Sequence, residues 1–218
     1  LSDKSVEALA QFGGWVIRLD GLRTLSDKAV KALAQFEGGV IDLNGLRTLS
    51  DKAAEALAQF EGVIYLNGLR TLSDKAAKAL AKFEGDCLYL DGLKVLSDEA
   101  AEALAQFEFK GKYEEGDTLS LNGVRTLSAK ATVALAKYKG KYLNLNGLRT
   151  CSDKAIVALA KFEGDGLSLD GLRVLSDEAA VTIAQFEGDI LSLDGLRLLR
   201  DEAVVALAKF GGNSLSLG

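Results

Sequence analysis

The sequence predicts an α/β solenoid: a curved, parallel β-sheet on the concave side, with short α-helices on the convex side. Three observations carry that prediction. A Leu-Ser-Asp motif or a close variant recurs from end to end, starting at Leu1, Leu25, Leu49, Leu72, Leu96, Leu127, Cys151, Leu175 and Leu199. Six of these nine units are 24 residues long; the third is one residue shorter and the fifth seven longer. Inside each unit the apolar pattern switches from a period of two to a period of about 3.6. Such an array is stabilised by units stacking on their neighbours, so the expected organisation is a single repeat domain over 1–218 with an insertion loop at about 107–117.

The strand of each unit is read from stretches such as Ile190-Leu191-Ser192-Leu193-Asp194, where leucines alternate with small or polar residues. That alternation buries one face of a strand. An Asn-Gly or Asp-Gly step follows. Between two strands it would mark a hairpin, but here a helical pattern comes next, so successive strands must run parallel through right-handed crossovers. The helix is read from Ser26 to Phe36, with apolar residues at Ala29, Ala32, Leu33 and Phe36, the i, i+3, i+4, i+7 spacing of an amphipathic helix. Ser26 is its expected N-cap, Asp27 suits the positive helix start, and Gly38 is the expected stop.

Parallel strands stack about 4.8 Å apart, whereas packed helices need about 8–10 Å. The alanines narrow that mismatch without removing it, so the array should curve with the sheet inside.

A 20–29-residue period with fixed leucines is the signature of a leucine-rich-repeat solenoid. The register LxLxxLxxLSDxAxxALA resembles the cysteine-containing subclass of leucine-rich repeats, roughly LxLxxCxxITDxGLxxLA, best known from F-box substrate receptors. It is also similar to short bacterial repeats of the LTDxGLxxL kind. Leu172 stands where that subclass has Cys, Ala179 where it has Gly, and no F-box segment is present, so no ubiquitin-ligase role carries over. The resemblance implies binding of another protein on the concave sheet.

Composition narrows the function classes. The chain is 48% hydrophobic and 26% charged, which suits a folded protein, and its net charge of −5 disfavours nucleic acid as a partner. Charges or glycines interrupt every apolar run, so no membrane insertion is expected. The start, Leu1-Ser2-Asp3-Lys4, lacks the pattern of a signal peptide. Cys87 and Cys151 fall three units apart at different unit positions and are expected to stay unbridged. There is no histidine to activate a serine or ligate a metal, no Gly-rich phosphate loop and no CxxC pair. The sequence therefore predicts neither catalysis nor a metal or other cofactor.

Because units can be compared column by column, positions that vary between them are where binding specificity is expected. The column between the strand leucines reads Arg18, Asp42, Tyr65, Tyr89, Ser120, Asn144, Ser168, Ser192, Ser216, and the column before it Val16, Val40, Val63, Cys87, Thr118, Tyr142, Gly166, Ile190, Ser214. Both should face the concave side. Tyr65, Tyr89 and Tyr142 are expected to form one aromatic patch, with Thr118, Asp42 and Arg18 beside it; tyrosine is favoured at interface anchors. Phe109, Lys110, Lys112 and Tyr113, in the insertion, are expected at the rim as a lip beside the tyrosines. The repeated Asx and Arg columns (Asn44, Asn67 and Arg47, Arg70, for example) could in principle hold calcium or phosphate. Their regularity instead favours a structural role, with Asx supporting the turn.

The exposed helix column carries Glu7, Lys31, Glu55, Lys78 and Glu102 in the first five units, alternating in sign so that neighbouring helices should pair. It then becomes Val133, Val157, Val181 and Val205. That change predicts a convex apolar stripe suited to a second copy of the chain. The leading function is a non-catalytic module that binds a protein or peptide on the concave sheet. The alternative is a structural segment that self-assembles through the convex stripe or through uncapped ends. An excised fragment or an engineered consensus array would also suit those ends and the absence of Met, His and Pro.

Overall fold

A computed structural model describes residues 1–108 and 117–218. Among these residues, strands β1 (Val16–Arg18), β2 (Val40–Asp42), β3 (Val63–Tyr65), β4 (Cys87–Tyr89), β5 (Thr118–Ser120), β6 (Tyr142–Asn144), β7 (Gly166–Ser168), β8 (Ile190–Ser192) and β9 (Ser214–Ser216) form one sheet in sequence order. Every pairing is parallel, and each column of the sequence alignment lies in register: Ile41 pairs with Ile64, and Leu119 with Leu143. Helices α1 (Asp3–Ala10), α2 (Asp27–Leu33), α3 (Asp51–Leu57), α4 (Asp74–Leu80), α5 (Asp98–Leu104), α6 (Ala129–Leu135), α7 (Asp153–Leu159), α8 (Asp177–Ile183) and α9 (Asp201–Leu207) alternate with the strands. The chain is an α/β solenoid of the leucine-rich-repeat type.

The core is a stack of layers running the length of the array. The two strand leucine columns, exemplified by Leu143 and Leu145, are buried except at Leu215 and Leu217 in the last unit, and most helices close on a buried leucine such as Leu57 or Leu104. Most of these helices have seven residues, too short to persist alone, so this packing holds them.

The helical face differs from the expected one. In α2 the buried residues are Ala29, Val30 and Leu33, while Ala32 is only half-buried and the helix ends at its cap Ala34. Phe36 therefore lies beyond the helix, where it joins a ladder of stacked rings. Phe36 stacks on Phe60 at 6.4 Å, Phe83 on Phe107 at 5.9 Å, and Phe107 on Tyr138 at 6.1 Å. The ladder continues through Phe162, Phe186 and Phe210 at 6.1–6.2 Å. Gly38 is not the helix stop. A Cβ there would sit 2.2 Å from its own Phe36 ring and 2.8 Å from the Gly14 carbonyl, so glycine is required for ring packing against the previous unit.

The ring ladder also reveals curvature. Tyr65 and Tyr89, on adjacent strands of the sheet face, lie 4.7 Å apart between ring centroids. The rings behind the sheet repeat at about 6.2 Å. Spacing that grows from sheet to helices bends the array with the sheet inside.

Candidate functional site

Two hydrogen-bond ladders account for the repeated Asx, cap-serine and helix-start Asp columns. At the turns after β2 to β7, the Asx side chain accepts the backbone N–H of the Asx in the next unit: Asn67 on Asn44 at 3.0 Å, Asp91 on Asn67 at 2.9 Å, Asn146 on Asn122 at 3.0 Å and Asp170 on Asn146 at 2.9 Å. The glycine beside it serves that close stacking: a Cβ on Gly195 would fall 1.8 Å from the Asp170 carbonyl oxygen. The second ladder joins the helix starts. Each cap serine accepts the backbone N–H three residues on, and six of them, Ser26, Ser50, Ser73, Ser97, Ser128 and Ser176, also donate the hydroxyl to the Asp of the preceding unit, as Ser73 does to Asp51 at 2.5 Å.

The concave face divides where these ladders reach it. From β5 onward, the serines between the strand leucines donate to the Asx of the preceding unit: Ser120 to Asp91 at 2.6 Å, Ser168 to Asn146 at 2.6 Å, Ser192 to Asp170 at 2.5 Å, and Ser216 to Asp194. Their hydroxyls are thereby committed to the turn ladder. Residue identity alone gave no sign of this, because the acceptor lies one unit away.

In β1 to β4 the same column is occupied by larger side chains. Arg18 is exposed; Asp42 is half-buried and accepts the Asn44 N–H at 3.0 Å. Tyr65 and Tyr89 stack nearly parallel, 14° between planes, and both remain half-exposed. Burial raises the pKa of the Tyr89 hydroxyl well above its ordinary value, and burial likewise raises that of the Cys87 thiol in the same strand.

Tyr142 is placed in a different column from that pair. It stands in the column before the leucines, and its ring fills the space over Gly166 in β7, where a Cβ would lie 2.6 Å from the ring. Gly166 leaves that space open to the ring, whereas Tyr65 and Tyr89 stack on each other. Thr118, expected on the open surface, is buried at 9% exposure; its short side chain is recessed between its strand neighbours Cys87 and Tyr142. Phe109, Lys110, Lys112 and Tyr113 lie outside the described residues.

At the edge of the insertion, Asp117 has a positive φ of 65° and is buried. Its side chain accepts the Tyr138 hydroxyl at 3.2 Å, and its carbonyl accepts the N–H groups of Lys141 and Tyr142 at 3.1 Å. Burial raises the pKa of its carboxyl despite the Tyr138 bond.

On the convex side Glu7 and Glu102 pair with a different lysine column from the expected one. Glu7 pairs with Lys28 at 2.9 Å rather than with Lys31, and Glu102 with Lys130 at 3.1 Å. Lysines at the second helical position reach the preceding helix more directly. Val133, Val157, Val181 and Val205 are 43–59% exposed, so they are not absorbed between helices. Both cysteines are free. Among the described residues no group of three or more His, Cys, Asp or Glu side chains is placed to hold a metal ion, and no helix is long and apolar enough to cross a membrane.

No family model and no curated protein matches the chain. Among solved structures it is similar to an internalin from Listeria monocytogenes, at 13% identity and a TM-score of 0.46, with 100% of this chain and 69% of the internalin covered. At that level of similarity the fold assignment rests on the strand order and register above.

Proposed function

We propose that the chain is a non-catalytic recognition module that binds a protein or peptide on the concave face of β1 to β4. The stacked Tyr65–Tyr89 pair carries this reading. Two half-exposed aromatic rings already held parallel lose little side-chain freedom on binding, which favours them as anchors. Exposed Arg18 and the Asp42 carboxylate lie on the two preceding strands, in register with the rings. They would supply polar contacts of both signs at one end of the anchor. The later strands offer serines whose hydroxyls are engaged with Asx side chains, so they present a flatter and less demanding surface. Those engaged serines also support the non-catalytic reading, since their protons go to structural carboxylates and amides.

The test uses random peptides displayed on phage and selected against the full chain. Selected peptides should bind the native protein and lose at least tenfold in affinity for a Tyr65→Ala, Tyr89→Ala variant that keeps its native circular dichroism, as expected for removing paired aromatic anchors. Equal binding to both proteins would rule out the tyrosine pair as the anchor.

A further inference from the structure

We infer that the valine stripe on α6 to α9 is a self-complementary surface that pairs with a second copy of this chain, with the two solenoids antiparallel. The stripe consists of Val133, Val157, Val181 and Val205, one per unit at the same helical position, each 43–59% exposed. In α1 to α5 that position holds Glu7, Lys31, Glu55, Lys78 and Glu102, so the apolar surface has a defined limit. A groove of about 600 Å³ beside α6 and α7 has Val133, Ala136, Val157 and Ala158 in its lining, with Lys137, Lys154 and Lys161 also bordering it. Small residues there leave room for a valine from a facing surface.

The charges beside the stripe choose the occupant and the orientation. At the second helical position, units six and seven carry Lys130 and Lys154, while units eight and nine carry Glu178 and Glu202. All four are exposed. A two-fold axis parallel to the helices, passing between α7 and α8, sets unit seven against unit eight of the partner and unit six against unit nine. Each Lys154 then meets a Glu178 and each Lys130 a Glu202, four attractive pairs across one interface. At the far helix ends the same axis opposes Lys161 to Gln185 and Lys137 to Lys209, leaving one repulsive combination there. Farther out, Glu163 meets Glu187, but Glu163 is already paired with Lys139 at 2.6 Å. The other two-fold choice, with the axis along the solenoid, sets Lys130 against Lys137 and Lys154 against Lys161, gains nothing from Glu178 against Gln185, and leaves Glu202 against Lys209 as its one attractive combination. The charge pattern therefore selects the antiparallel arrangement.

Curvature sets which contacts dominate. Two convex faces touch first at their centres, so Val157 and Val181 form the apolar contact. The longer Lys130 and Glu202 side chains span the widening gap outside it. Lys130 already pairs with Glu102 within its own chain, so the central Lys154–Glu178 pair is the more sensitive probe.

Sedimentation equilibrium of the full chain over a concentration series tests this pairing. The expected result is a monomer–dimer equilibrium that weakens as salt rises. Val157→Asp with Val181→Asp should leave a folded monomer. Glu178→Lys and Lys154→Glu should each weaken the dimer about tenfold, and the double swap Lys154→Glu, Glu178→Lys should restore it. A strict monomer at every concentration overturns the proposal. So does a dimer indifferent to the aspartates, or one that the double swap fails to restore. The charge variants change only exposed side chains, so they decide the matter even if the aspartates impair folding.

Discussion

Ser50 Oγ donates to the carboxylate of Asp27, one unit earlier, at 2.5 Å, and accepts the Ala53 N–H of its own helix at 3.0 Å. One hydroxyl thus caps α3 and ties it to α2. The two capping serines without an Asp beneath them, Ser2 and Ser152, have the longest caps, both 3.3 Å. Ser152 lacks its partner because Ala129 occupies that place in unit six. Where a serine is missing, Arg200 reaches Asp177 at 3.3 Å instead.

Ala129→Asp should therefore stabilise the protein. The new carboxylate would accept the Ser152 hydroxyl and sit at the positive start of α6, a gain of about 0.5–1.5 kcal/mol. Urea denaturation should show a higher midpoint at unchanged slope. Combining it with Ser152→Ala should cancel most of the gain.

Asn122→Ala removes two bonds at once. Its Oδ1 accepts the Asn146 N–H at 3.0 Å and its Nδ2 donates to Ser120 Oγ at 2.9 Å. A half-buried backbone N–H is left without its acceptor, so a loss of about 1–3 kcal/mol is expected. Amide hydrogen exchange at Asn146 should accelerate more than exchange in the distant β2.

Phe107→Ala opens a hole between the buried Phe83 and Tyr138 rings. The expected cost is about 3–5 kcal/mol. The exposed Phe12→Ala, at an equivalent place in unit one, should cost far less when both are measured by thermal unfolding.

Asp117 gives a pH signature. Burial raises its folded pKa above the unfolded value of about 3.9. Its contribution is therefore fully present below that unfolded value and is lost as pH rises through the folded one. Asp117→Asn keeps an acceptor for Tyr138 and tolerates the positive φ. The variant should be more stable than the native protein at pH 7, and the difference should shrink as both are brought to pH 3. A difference independent of pH would show that the carboxyl carries no such burden.

Much of this molecule was legible in the sequence because its signals are local. Ser26, Ser50 and Ser73 announce helix starts through a bond three residues away. The alternation around Leu143 and Leu145 announces a strand with one buried face, which is what forms. The regular Asx column was rightly read as supporting the turn, although its bonds run to the next unit. The site was less legible. Tyr65 and Tyr89 occupy the same position on paired strands, so their stacking follows from register alone. For Tyr142 the sequence gives only the column; its neighbour across the sheet, Gly166, leaves the space that its ring occupies.

The sequence by itself determined the unit, the parallel register and the columns that differ between copies, because bonds and apolar periods within one unit act over a few residues. Tertiary structure alone decided which repeated side chains are occupied. The Ser–Asp, Asx and aromatic ladders join residues 22–31 positions apart, and their partners exist only once one unit is stacked on the next. That stacking ties up the serines of the later strands and leaves the paired tyrosines of β3 and β4 facing outward.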